Sequence, residues 1–149
     1  MALPTTTLRI RLTLTEPLLG TVPKSRDIYA RYVASKAPAD VAADEEAATV
    51  EGIEAAGWTG FHSDENGLFL YDYQIKGLLK EAGNVLKDVL GVKALRSKID
   101  NYVFVQPRRI YLGKEEPDGV LERPLRAQTA QGVRVALARS DYVDAGTTF

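Results

Sequence analysis

At 149 residues, with 45% hydrophobic and 26% charged side chains, the chain has the size and balance of one globular domain able to bury a core without staples. It holds no cysteine, which excludes disulfides, thiolate metal sites and cysteine catalysis and suits a reducing compartment. The formal net charge of -1 hides a strong asymmetry. Asp40, Asp44, Glu45, Glu46, Glu51, Glu54, Asp64 and Glu65 fall between residues 37 and 66 with no Lys or Arg among them. Between 93 and 139, Lys93, Arg96, Lys98, Arg108, Arg109, Lys114, Arg123, Arg126, Arg134 and Arg139 face only Asp100, Glu115, Glu116, Asp118 and Glu122. Such a split fits head-to-tail self-association, or a polyanion surface beside an acidic flap, or simply a solvated loop and scattered basic strand positions.

"MALPTTTLRIRL" lacks the charged region and apolar run of a signal peptide, and no stretch approaches the roughly 18 apolar residues of a membrane span. The expected location is the cytoplasm, with no membrane partner. Thr7 to Thr15 alternates strictly, Leu8, Ile10, Leu12 and Leu14 against Thr7, Arg9, Arg11, Thr13 and Thr15, and reads as a half-buried strand. Pro17, Gly20 and Pro23 punctuate the turn that follows. Ser25 is placed to cap a helix carrying Ile28, Tyr29, Tyr32 and Val33 on one face. Residues 37–49 read as a mobile acidic insertion, and Thr49 to Ala56 as a short helix ended by Gly57.

"WTGFHSDENGLFLYD" reads as a β-hairpin turning on Asp64 to Gly67, where Asn-Gly supplies positive φ at low cost. The period of Ile75, Leu78, Leu79, Ala82, Val85, Leu86, Val89 and Leu90 predicts an amphipathic helix over Tyr73 to Leu90. Gly77 and Gly83 inside it each cost about 1 kcal/mol, which points to close approach by a backbone, a ligand or a sheet. "VKALRSKID" adds a helical turn or two. A buried strand is expected over Tyr102 to Val105, a second over Arg108 to Leu112 with Pro107 marking an edge or bulge, and another through Val133, Val135 and Leu137. The whole is an α+β pattern: one domain over residues 1–149, an antiparallel sheet with helices on one face.

The single histidine, His62, is either a general acid or base with Lys76 or Tyr73 as helper, or an ordinary surface residue of the hairpin. Asp44, Glu45 and Glu46 suffice to hold Mg²⁺ with substrate phosphates, or are plain solvated chain. No phosphate-loop, dinucleotide or zinc-protease motif occurs, and one histidine without an elbow motif argues against a hydrolytic triad. No metal site or cofactor is expected. The remaining signal is basic residues among aromatics: Arg9 and Arg11 on one strand face, Arg108 and Arg109 beside Tyr111, and Arg123, Arg126, Arg134 and Arg139 in the last third. Cations tracking a backbone, with rings for bases to stack on, hold single strands without sequence preference.

Three segments resemble the RAMP superfamily, the ferredoxin-like RNA-binding subunits of CRISPR effector complexes. The opening strand with "LTEPLLGT" is similar to the family's first strand and Leu/Gly turn. "GLFLYDYQIKGLLKEA" resembles its strand–corner–helix element; Ile75-Lys76-Gly77 keeps the end of that pattern, and Tyr71-Asp72-Tyr73-Gln74 replaces its Pro-Gly-Ser-Ser. "RVALARSDYVDAGTTF" is similar to the strand and G-T-x-F of its last conserved region. The family's glycine-rich loop has no counterpart in these residues. The acidic insertion sits where relatives carry a loop that can bear a cleavage Asp, leaving Asp40, Asp44 and Asp72 without assignment.

The resemblance implies a ferredoxin-like or RRM-like fold and a non-catalytic module, CRISPR-associated or a phage or prophage relative, binding single-stranded RNA and self-associating. Tyr71 to Lys80 would offer helix-start amides with Lys76 and Lys80 to a phosphate. The expected contacts are Lys76, Lys80, Arg108, Arg109, Arg126, Arg134 and Arg139 for phosphates and Tyr73 and Tyr111 for stacking. Two alternatives stand beside this: a phage-encoded protein binding a host protein or a small phosphorylated ligand, and a metal-assisted ribonuclease using the insertion carboxylates.

Overall fold

The computed structural model describes residues 4–25, 57–129 and 132–149, with the side chains of 125–137 left aside. The helix expected after Ser25, the acidic insertion and the helix over Thr49 to Ala56 lie outside these residues. The described part is α+β, with two helices and two sheets of mixed and antiparallel pairing. In the larger sheet β1 (Leu18–Leu19) pairs antiparallel with β8 (Gly132–Val143), and β3 (Trp58–Gly60) runs parallel to β8. Outside β3 lies β2 (Val22–Pro23), and β7 (Gly119–Thr129) forms a long hairpin with β8. The smaller sheet is antiparallel in the order β4 (His62–Asp64), β5 (Gly67–Tyr71), β6 (Arg109–Tyr111).

The expected hairpin forms from His62 to Tyr71. Its positive φ rests on Gly67 alone (φ 106), while the Asn66 N–H donates to the Asp64 carboxylate at 2.8 Å, tightening the turn from the side-chain side. Trp58 to Gly60 does not extend this hairpin. The chain changes sheets at Phe61, whose buried ring packs with Leu68, Leu112 and Val143 between the two sheets. Leu14, Leu18, Leu70 and Phe149 close that core. Each buried aliphatic or aromatic side chain there contributes roughly 1.5–3 kcal/mol.

Three elements differ from the pattern in the sequence. The strand expected over Thr7 to Thr15 keeps only its last rungs: Leu12 and Phe149 exchange backbone hydrogen bonds of 2.8 and 2.9 Å, and Thr13 bridges Thr148. Leu8 and Ile10, 77% and 67% exposed, have correct alternation but no neighbouring strand among the described residues, and a lone strand has no ladder to join. Tyr102 belongs to a helix, and the residues after it are irregular with Tyr102 and Phe104 exposed, so the expected buried strand at 102–105 is absent.

The third difference concerns α1 (Asp72–Leu86). It forms as its period demands, but its apolar stripe does not lie on a sheet. Its neighbour is α2 (Leu95–Tyr102), which packs on Gly83, where an added Cβ would sit 2.5 Å from the Ile99 Cδ1. Leu78, Val85, Val89 and Leu90 stay exposed because α2 covers only one flank. The two helices therefore form a hairpin leaving the sheet rather than a layer over it. Among the described residues no helix is long and apolar enough to cross a membrane.

Candidate nucleic-acid interface

The smaller sheet has two chemically distinct faces. Pairing of Phe69 with Tyr111, Leu70 with Ile110 and Tyr71 with Arg109 sends Leu68, Leu70 and Leu112 to the core. His62, Asp64, Phe69, Tyr71, Arg109 and Tyr111 share the other face, since partners across a ladder point the same way. There Tyr71 meets Phe69 edge-on at 5.1 Å and His62 at 4.8 Å, and Tyr111 meets Phe69 at 5.7 Å. The Arg109 guanidinium sits 5.2 Å over the Phe69 ring.

One carboxylate organises the far end of this face. Asp64 Oδ2 accepts from Arg109 Nη1 at 2.7 Å and from the Tyr111 hydroxyl at 2.8 Å. Desolvation works against the Asp64 charge, but hydrogen bonds from the Asn66 N–H, Tyr111 and Arg109 outweigh it and hold the pKa below the usual carboxylate range. The same bond to Asp64 raises the Arg109 pKa further.

His62 is not on the surface, as the hairpin position suggested. It is buried against Phe69 and Tyr71, and burial first, then the nearby Arg109 charge, lowers its pKa to about 4. Its face of the sheet supplies aromatic walls instead of solvent, so the ring is neutral at ordinary pH.

The strand-to-helix corner has a use for each of its four unusual residues. The Tyr71 N–H donates to Gln74 Oε1 at 2.8 Å, one half of a capping box. Asp72 accepts from the Tyr73 N–H at 2.8 Å and from Arg108 Nη1 at 3.1 Å, so a carboxylate of the chain already occupies the helix start. Tyr73 stacks on Tyr71 with centroids 5.4 Å apart and planes at 13°, and Arg108 lies 4.9 and 5.8 Å over the two rings. Tyr73 is 44% exposed, and the Arg108 side chain 49%. The corner thus presents a ring backed by a second ring and flanked by a guanidinium.

The other expected contacts are dispersed. Lys76 donates to the Asp100 backbone carbonyl at 2.7 Å, and Lys80 pairs with the Asp100 carboxylate at 3.0 Å. The hydrogen bond from Lys80 is the largest cause holding Asp100 below its ordinary pKa. These two cations face α2 rather than the corner. Arg139 pairs across the β7–β8 ladder of the larger sheet with Glu122 at 2.8 Å, whereas Arg108 pairs with Asp72 beside the smaller sheet. Arg126 and Arg134 stand opposite Val135 and Ala127 in that ladder, their side chains outside the description. Tyr111 is committed edge-on to Phe69 and through its hydroxyl to Asp64, so of the two rings named for stacking Tyr73 is the more exposed.

Sequence reasoning missed Asp64 and Phe69 as parts of this site, and it named the Tyr71-Asp72-Tyr73-Gln74 corner without the contacts of Tyr71 and Asp72 to Arg108. Phe69 and Tyr71 alternate with Leu68 and Leu70, a signal present in the sequence; the tie from Asp72 to Arg108, 36 residues ahead, left none. Among the described residues no three His, Asp or Glu side chains gather as a metal site, and the insertion carboxylates lie outside them. Two concavities there, one lined by Phe61, Leu68 and Asp141 and one by Phe61, Phe69 and Gln74, each admit about 10 Å³, room for a water at most. Comparison with protein-family models, curated proteins and solved structures finds no match to this chain.

Proposed function

We propose that the chain is a non-catalytic, RAMP-like module of the cytoplasm that binds single-stranded RNA, with Tyr73 and Arg108 at the strand-to-helix corner as its primary contact. The observation that carries this reading is the exposed Tyr73 ring, held flat on Tyr71 and flanked by Arg108. A base stacking on such a ring contributes about 1–3 kcal/mol. Arg108 can exchange Asp72 for a phosphate at little cost, because a half-exposed ion pair is worth about 0–1 kcal/mol. With this function goes the finer fold, a ferredoxin-like or RRM-like arrangement, supported by an antiparallel sheet whose β5 runs directly into α1. The adjacent antiparallel pairing of β5 with β6 departs from the split β-α-β unit of that fold.

The test is fluorescence anisotropy with a labelled single-stranded RNA of about 30 nucleotides, over a salt series without divalent ions; each neutralised phosphate contributes a slope of about -0.7 in log K against log salt. Tyr73→Ala should weaken binding by about 5- to 150-fold, the equivalent of one stacked base. Arg108→Gln should flatten the salt slope by about 0.7. Absence of binding at low salt, or binding indifferent to both substitutions, overturns the reading.

A further inference from the structure

Two apolar elements of this chain lie open, and they match each other. The first is the arm from Pro4 to Arg11, extended beyond the Leu12–Phe149 rung, with Leu8 and Ile10 exposed. It carries Arg9 and Arg11 and no carboxylate. The second is the α1 stripe of Leu78 and Val85, continued by Val89 in the turn after the helix; Val85 and Val89 are 68% and 81% exposed. Asp88, and Glu81, which makes a long, exposed ion pair of 3.8 Å with Arg96, stand three residues beyond Val85 and Leu78 and flank that stripe on one side. The stripe has a negative border and the arm a positive one.

Spacing agrees as well as charge. Residues two apart in an extended arm lie about 6.6 Å apart, and residues four apart along a helix rise about 6 Å. The turn after α1 keeps a helical bond from the Leu90 N–H to the Leu86 carbonyl at 2.9 Å, so Leu8 and Ile10 can sit over Val85 and Val89. We propose that the arm of one copy docks on the α1 stripe of a second copy, Leu8 and Ile10 covering Val85 and Val89 with Arg9 and Arg11 drawn toward Glu81 and Asp88. The contact is heterologous, head to tail, so it propagates into a ring or an open chain rather than closing as a two-fold dimer. It needs no RNA and stands apart from the corner formed by Tyr73 and Arg108.

The absence of cysteine makes the test direct. Chains carrying both Ile10→Cys and Val85→Cys, oxidised without RNA at tens of micromolar, should give a ladder of disulfide-linked oligomers. Mixing the two single variants should give a linked heterodimer. A disulfide confined within one chain would mean that the arm folds back on its own helix. Homodimers from Ile10→Cys alone would mean arm-to-arm pairing. Either result overturns the proposal, as does the absence of any crosslink. In parallel, sedimentation velocity on the cysteine-free chain should show association that the Leu8→Asp, Ile10→Asp double variant weakens at least about tenfold; both sites are exposed, so folding is spared. A parent chain that stays monomeric at tens of micromolar also overturns it.

Discussion

Replacing Asp141 by Ala tests the most consequential polar contact in the larger sheet. Asp141 is 2% exposed, accepts from the Trp58 indole N–H at 2.8 Å, and pairs with Lys24 at 2.7 Å. Lys24 also lies 4.3 Å over the Trp58 ring, so a residue from each of the β2, β3 and β8 regions meets at this one carboxylate. Removing one partner of a buried pair costs about 3–5 kcal/mol, because the remaining charge stays desolvated. The Lys24 side chain is 12% exposed and can lean toward water, which favours the lower end. The orphaned indole N–H adds about 1 kcal/mol. The expected loss is therefore about 4 kcal/mol, out of the roughly 5–15 kcal/mol that a domain commands. Urea unfolding near pH 7, followed by circular dichroism, should show a lower midpoint at an unchanged m-value, with Tm falling by about 10 °C. Asp141→Asn keeps an acceptor for Trp58 and should cost less. Lys24→Met combined with Asp141→Leu should recover much of the loss, since an apolar pair replaces the ionic one without a stranded charge. A loss below about 1 kcal/mol for Asp141→Ala would refute this account.

Three further outcomes follow from the packing. The folded pKa of His62 is depressed to about 4 from the ordinary 6.5, so its neutral form is the one the fold accepts. Stability from it is full above about pH 6.5 and is lost as pH falls toward 4; urea midpoints should report about 2 kcal/mol less at pH 5 than at pH 7, and His62→Gln should remove that slope. Gly77 has open space where a Cβ would go, so Gly77→Ala should stabilise by about 0.5–1 kcal/mol, while Gly83→Ala meets Ile99 and should gain nothing or lose; thermal melts of the two separate these cases. Ala94, left-handed at φ 54, precedes α2, and Ala94→Gly should raise the melting midpoint by removing a strain of about 1 kcal/mol; a lower midpoint would count against strain there.

Local chemistry made several elements legible. The Asp64 to Gly67 turn, the helix of 3.6-residue period that is α1 and the strand through Val133 to Leu137 each depend on neighbours in sequence and are found there in the structure. What escaped the sequence was set by residues far along the chain. Phe61 looks like one more hairpin position, and only its contact with Val143 makes it the point where the chain changes sheets. His62 reads as a surface residue until Tyr71 and Phe69 enclose it. Lys76 and Lys80 read as free cations because Asp100, 24 residues beyond Lys76, carries no local mark of its role. At the corner, the residue types were visible early, but their division of labour depended on Arg108 returning to Asp72.

The parallel pairing of β3 with β8 shapes the order in which the molecule assembles. The β4–β5 and β7–β8 hairpins each close over two residues and can zip within microseconds. Thr59 meets Ser140 across 81 residues, and the entropy of closing so long a loop delays that rung until the hairpins exist. Trp58, the chain's single tryptophan, stands in β3 beside that rung. Its fluorescence therefore clocks the docking of β3 on β8 within the larger sheet, whereas far-ultraviolet circular dichroism clocks the earlier hairpins and helix. In a stopped-flow refolding experiment the indole signal lags the dichroism, so one native residue serves as a built-in reporter of the parallel rung that completes the middle of the larger sheet.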